Sequence, residues 1–324
     1  MHNRVINNKK TAENNTMKNK AKKKRDIYQD VTNDIIACLE KGNKPWIKPW
    51  NNNQILDREY RHNLEPYKGI NQLLLWMYSS AKGFNSNYWF SYKQAEAMGN
   101  PVKRGEKGSQ VIFYKKLSFE DKTEDENGSI LIGDTKEVHM IKTYCVFNGD
   151  QLQNELKDKY IQKDTDNLIE EKRIAKAEDF YSSIGAKIKA DNKAAYYPLS
   201  DDIGMPPFEA FKTPEYYYSV LAHEVTHWTG HKSRLDRKKF STKGSKDYAY
   251  EELIAELGSA FLNATIGIKN GDKNDMIDNH ASYIKSWLKA LKDDKKFIFR
   301  AAKEAEKASQ FVLNLNATQL KKVA

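Results

Sequence analysis

The sequence is poor in cysteine and in long apolar runs, and each shortage closes a class of explanation. Its two cysteines, Cys38 and Cys145, lie far apart and form no CxxC pair, which argues against a disulfide framework and a cysteine-built zinc site. Both sit among apolar residues and read as buried reduced thiols. No apolar run approaches the ~18 residues that cross a bilayer as a helix. The opening MHNRVINNKK lacks the apolar core of a secretory signal, so the expectation is a soluble cytoplasmic protein with no membrane partner. No internal repeat is visible.

What is present suits two domains and tails: 324 residues, 39% hydrophobic and 11% aromatic, enough to build cores. A charged content of 30% and a mean hydropathy of −0.81 imply a very polar surface. The net charge of +10 is concentrated at one end. Residues 1–25 hold nine basic side chains against Glu13 alone, are rich in Asn, and read as a disordered basic tail. Such a tail can hold polyanions without reading sequence, or can simply keep the chain soluble. The sequence leaves both open.

Structure is expected from Asp26. Ile27, Val31, Ile35 and Leu39 recur every four residues, an amphipathic helix stopped by Gly42. The proline-broken segment from Lys44 to Trp50 cannot be helical. Helices are predicted over 69–80 and 94–98, and strands over 110–116 and 138–147. The stretch 118–136 between those strands carries Glu120, Asp121, Glu124, Asp125 and Glu126 with Gly128 and Gly133, and reads as an acidic loop that would repel nucleic acid. The charged stretch 151–170 reads as a linker between a first domain at 26–150 and a second at 171–324. In the second, a helix is predicted from Glu171, then a hairpin of 186–190 with 194–198 turning at Asp191-Asn192. Thr213-Pro214 starts a further helix that Gly230 ends. Helices over 248–265, 281–292 and 294–313 complete a mainly helical half with a small sheet. The fold class is α+β in two domains.

His223-Glu224-Val225-Thr226-His227 matches H-E-x-x-H within one of these helices. Four residues are just over one turn, so both imidazoles point the same way and can meet one ion. With seven histidines in the chain, chance gives this pattern in about 1% of such sequences, so it carries weight. Glu224, beside the first ligand, is placed to take a proton from metal-bound water. A Zn2+ site that keeps one position open needs a third protein ligand. The later helix supplies Glu252 and Glu256, four apart on one face, while Glu251 lies about 100° round from Glu252. His231 is the next choice, although Gly230 should turn it away. Ser233 stands where the metzincin pattern needs its third histidine, so that class fails. The Glu-x-x-x-acid spacing resembles the gluzincin, thermolysin-like metallopeptidases. That resemblance implies Glu252 as ligand and Glu256 as the acid that orients a ligand histidine. Peptide hydrolysis would also need an oxyanion partner, for which Tyr248, His280 and Tyr283 are candidates.

A wider resemblance runs over about residues 26–315. Ala222 to His231 with Ser233-Arg234-Leu235, Glu251 to Gly258, and Asp201-Asp202-Ile203-Gly204-Met205-Pro206 are similar to the ArdC-type antirestriction family. So are Pro66-Tyr67-Lys68-Gly69-Ile70-Asn71, Leu73-Leu74-Leu75-Trp76 and Gly105-Glu106-Lys107-Gly108 in the first half. The resemblance implies an N-terminal domain that binds single-stranded DNA and a C-terminal zincin-like metallopeptidase domain, carried by mobile elements and shielding incoming DNA from host restriction. The basic tail and the acidic insertion are not matched to it.

Read on its own residues, the first half offers aromatics at 76–92 and lysines close behind, the ingredients of a single-strand groove. Aromatics more often build cores. The candidate DNA contacts are Trp46, Tyr88, Lys103, Arg104 and Lys107. The leading expectation is therefore an ArdC-like protein with a zinc site on His223, His227 and Glu252. Two rivals stand beside it: a dedicated zinc protease acting on a regulatory or restriction protein, and a DNA-binding module whose zinc is structural.

Overall fold

The computed structural model describes residues 25–46, 58–124, 130–157, 160, 170–237, 245–268 and 280–323. Residues 1–24 of the basic tail and most of the 151–170 stretch lie outside them.

In the N-terminal half, α1 (Ile27–Glu40) starts at Asp26, whose side chain accepts Gln29 N–H. α2 (Ile70–Lys82) follows the short β1 (Tyr60–Arg61), and β2 (Tyr88–Phe90) leads into α3 (Tyr92–Ala97), opened by a Ser91/Gln94 capping box. β3 (Ser109–Glu124) and β4 (Ile130–Asn148) complete a sheet of order β1-β2-β4-β3. The expected acidic loop is instead mostly strand: β3 and β4 stay paired from Ser109↔Val146 out to Glu124↔Ile130, with one irregularity between Glu120 and Lys122. Antiparallel pairing is made by backbone groups, so charged residues do not by themselves end it. Cys145 on this ribbon is exposed and Cys38 half-buried, so neither is the fully buried thiol expected.

In the C-terminal half, α4 (Glu170–Ser183) precedes β5 (Lys187–Ala190), β6 (Ala195–Tyr197) and β7 (Asp202–Met205). The expected β5–β6 hairpin does not form. β7, unforeseen from sequence, lies between them, parallel to β5 and antiparallel to β6. Its Ile203 is fully buried, and Asp191 donates its N–H to Met205, tying the predicted turn to β7. The helices are α5 (Pro214–Trp228), α6 (Lys246–Ile266), α7 (His280–Asp293) and α8 (Phe297–Val323).

The chain is thus α+β in two domains, and the halves share a core. Ile35, Leu73, Trp76 and Ile112 from the first half pack with Leu253, Phe261, Trp287 and Ala302 from α6, α7 and α8. Polar contacts cross the same boundary. Arg58, 4% exposed, pairs with Glu306 at 3.0 Å, and the same carboxylate oxygen accepts Gly69 N–H at the start of α2. Gly69 has φ of +55°, a conformation that favours glycine.

Candidate metal centre

α5 begins where sequence chemistry puts it: Thr213 Oγ1 accepts Tyr216 N–H, and Pro214 takes the first helical position. The helix then projects His223 and His227 from one face towards α6. α5 and α6 come unusually close at Gly258, where a Cβ would lie 2.5 Å from Thr226 Cγ2. Ser259 Oγ donating to Ser219 C=O at 2.9 Å and Asn263 Nδ2 donating to Ser219 Oγ at 3.2 Å fix the crossing.

That crossing brings Glu252 to the histidine pair. The Nε2 atoms of His223 and His227 are 3.2 Å apart, and each lies 3.6 Å from an oxygen of Glu252. Donors at the usual zinc distances around a tetrahedral ion lie about 3.3 Å from one another, and the two imidazoles and the carboxylate approach that spacing, His223 facing Oε2 and His227 facing Oε1 of Glu252. They form a group of potential ligands within 4.8 Å of one another.

The electrostatics ask for a cation. Burial favours a neutral His223, but the bond to Glu252 and the charges of Glu224, Glu252 and Glu256 outweigh it and raise its pKa to about 9. Burial likewise pushes Glu252 up, yet the bond from His223 and the neighbouring histidine charge hold it down at about 2. A cluster that must recruit a proton in this way fits a dication on the same atoms.

His227 Nδ1 faces Glu251 Oε1 at 3.2 Å, and Arg237 clamps that carboxylate with Nη2 at 2.8 Å and Nε at 3.2 Å. Glu251, not Glu256, therefore stands at the orienting position on His227. Glu256 Oε2 accepts bonds from Lys44 Nζ at 3.3 Å and Trp46 Nε1 at 3.2 Å, reaching across to the N-terminal half. Arg237 also bonds Thr226 C=O and Thr229 Oγ1, satisfying the open C-terminal turn of α5.

Glu224 is 9% exposed, and its Oε2 accepts Tyr196 N–H of β6 at 2.8 Å. Tyr248 bonds Glu252, and its hydroxyl lies 3.0 Å from that of Tyr283. Burial is the main cause raising both phenol pKa values, so both remain protonated donors at neutral pH. The side chain of His280 lies outside the described residues. His231 turns away and bonds Ser233 Oγ at 2.8 Å.

The candidate DNA contacts scatter. Trp46 is only 1% exposed, with its indole N–H on Glu256 and its ring edge-on to Trp287; burial removes it from any surface a strand could use. Tyr88 is half-buried, stacked on Tyr60 and edge-on to Tyr160, in a cleft that Lys103 also lines. Arg104 and Lys107 are exposed on the loop entering β3. Sequence reasoning missed Glu251, Arg237 and Tyr196; only the Glu251-Glu252 doublet carried a local signal.

Comparison with known proteins gives matches along both halves. Residues 25–147 match the family described as the N-terminal domain of anti-restriction factor ArdC, and residues 175–304 match the zincin-like metallopeptidase family. An uncharacterized protein of Sinorhizobium fredii, y4eC, is 34% identical over 290 residues, spanning 89% of this chain and 91% of its own. A DNA primase TraC of Escherichia coli is 34% identical over 310 residues, which is 92% of this chain and 20% of the primase. The crystal structure of the metal-free antirestriction ArdC protein from plasmid R388 superposes with a TM-score of 0.72 at 41% identity, covering 91% of this chain and 99% of the other. Its Mn(II)-bound form gives 0.70 at 40% identity, covering 90% and 99%.

Proposed function

The chain belongs to the ArdC-type antirestriction family, and from that membership we propose that it binds single-stranded DNA through its N-terminal half, carries Zn2+ on His223, His227 and Glu252, and protects incoming DNA from host restriction. The observation that carries the metal reading is the convergence of two imidazole Nε2 atoms 3.2 Å apart on one carboxylate, each 3.6 Å from one of its two oxygens. The antirestriction reading rests on the ArdC relatives, and its partner on the family of the N-terminal half.

The surrounding residues suit peptide hydrolysis. A bound zinc supplies Lewis acidity and an acidified water. Glu224, anchored by Tyr196 N–H, is the base that takes and returns a proton. The Tyr248 and Tyr283 hydroxyls are the donors nearest the ligand set and suit an oxyanion. Arg237 and Glu251 hold the His227 ring in one orientation.

Transfer of unmodified DNA into a restricting recipient tests the function. Transfer should rise when the chain is present, with no change in a recipient lacking restriction; equal transfer in both overturns the reading. Loss of protection in Glu224→Ala with the metal retained would favour the dedicated protease.

A further inference from the structure

Opposed residues on an antiparallel pair project from one face. The pairs Val111↔Tyr144, Phe113↔Lys142 and Lys115↔Met140 therefore form one face of the β3–β4 ribbon near its root. On it Phe113 is 41% and Tyr144 49% exposed, with ring centroids 5.5 Å apart and planes inclined by 44°. Among the described residues eight large hydrophobics are exposed, and three of them, Phe113, Met140 and Tyr144, lie on this one face, which makes it a patch rather than scattered side chains.

Charge divides the ribbon. Within 109–116 and 139–146 the sequence holds Lys115, Lys116 and Lys142 and no acid, whereas the outer strands hold five acids against Lys122 and Lys136. A polyanion is attracted to the root and repelled further out. The free edge of β3 is closed at Ile112, where Asn71 takes its N–H and donates to its C=O, both at 2.7 Å. That occupies the backbone groups an added peptide strand would need there.

We infer that this face, centred on Phe113 and Tyr144 and flanked by Lys115 and Lys142, is the platform on which bases of a single-stranded nucleic acid stack. The inference rests on the reading of the N-terminal half as a single-strand binder and names the surface that does it. Aromatic faces accept any base, so the platform has little sequence preference.

The test is fluorescence anisotropy of labelled single strands with the full chain, because the halves share a core, at several salt concentrations. Phe113→Leu with Tyr144→Leu keeps the apolar area and removes the π-faces. It should weaken binding about tenfold or more, while Phe113→Tyr with Tyr144→Phe should bind as the wild type does. Lys115→Gln with Lys142→Gln should flatten the salt dependence. Photocrosslinking of a bromouracil strand should map to the β3–β4 root. If the wild type binds and the leucine pair binds equally, with crosslinks elsewhere, the platform is wrong and the single-strand reading stands. If the wild type does not bind single strands, both fall. If the leucine pair instead retains capture of a protein partner while single strands crosslink elsewhere, the patch is a protein-docking face and the proposal is overturned.

Discussion

Nδ1 of His227 faces Oε1 of Glu251 at 3.2 Å, and Arg237 donates to both oxygens of that carboxylate, with Nη2 on the same Oε1 at 2.8 Å and Nε on Oε2 at 3.2 Å. The contact of His227 with Glu251 leaves Nε2 turned to Glu252 and His223. Glu251→Gln keeps the shape and removes the charge. Metal affinity should fall ~10–100-fold without loss of fold, measured by competition with a chelating dye. Unchanged affinity would show that Glu251 is not the orienting group.

The metal centre is tied to the N-terminal half through Lys44 and Glu256, whose side chains are only 8% and 12% exposed. Removing Lys44 takes the cation from a buried carboxylate that keeps the Trp46 indole N–H. Lys44→Met should destabilise the protein by ~3 kcal/mol in denaturant titrations. A change below ~0.5 kcal/mol would mean that water or another group already compensates Glu256.

Gly258 sets how closely α6 approaches α5. A Cβ there meets Thr226 at 2.5 Å, a contact one of the helices must relieve by moving. Gly258→Ala should cost ~1–3 kcal/mol and weaken metal binding, because Glu252 is displaced from the histidines. Gly258→Ala combined with Thr226→Ser, which removes the clashing methyl, should recover part of both in calorimetry and metal titration.

Arg234 and Asp201 lock the turn that follows β6. Arg234 pairs with both oxygens of Asp201, bonds Trp228 C=O at 2.7 Å and lies 3.9 Å over the Trp228 ring. The Arg234 bond is the main cause holding the Asp201 pKa below its ordinary value. A depressed folded pKa gives stability above the unfolded value near 3.8 that is lost as pH falls through the folded value. Asp201 is about a third exposed, so the contribution at neutral pH is only ~0.5–1 kcal/mol. Asp201→Asn should remove that amount at pH 7 and progressively less as the pH falls from 3.8 through the lowered folded value, read from melting temperatures across pH.

The histidine pair was legible in the sequence because one helical turn aligns residues four apart, and Thr213-Pro214 marks where that helix begins. The orienting carboxylate was not. Glu251 and Glu256 lie on different sides of α6, and the Gly258–Thr226 contact decides which meets His227. The link from Trp46 to Glu256 spans 210 residues and has no local signature. β7 escaped notice because four residues with a glycine carry little strand signal, and its pairing with β5 is non-sequential in the sheet. The acidic stretch read as a loop because charge marks solvent, while the pairing of β3 with β4 is made by backbone groups that carry no charge signal.

His223, His227 and Glu252 converge on a place for a single metal ion. Elemental analysis of the purified full chain after zinc loading and gel filtration tests it most directly, beside His227→Ala and Glu252→Gln. The expected result is one zinc per chain in the wild type, none in either variant, and a lower melting temperature after chelation. One zinc per chain retained in both variants, or none in the wild type, would contradict it.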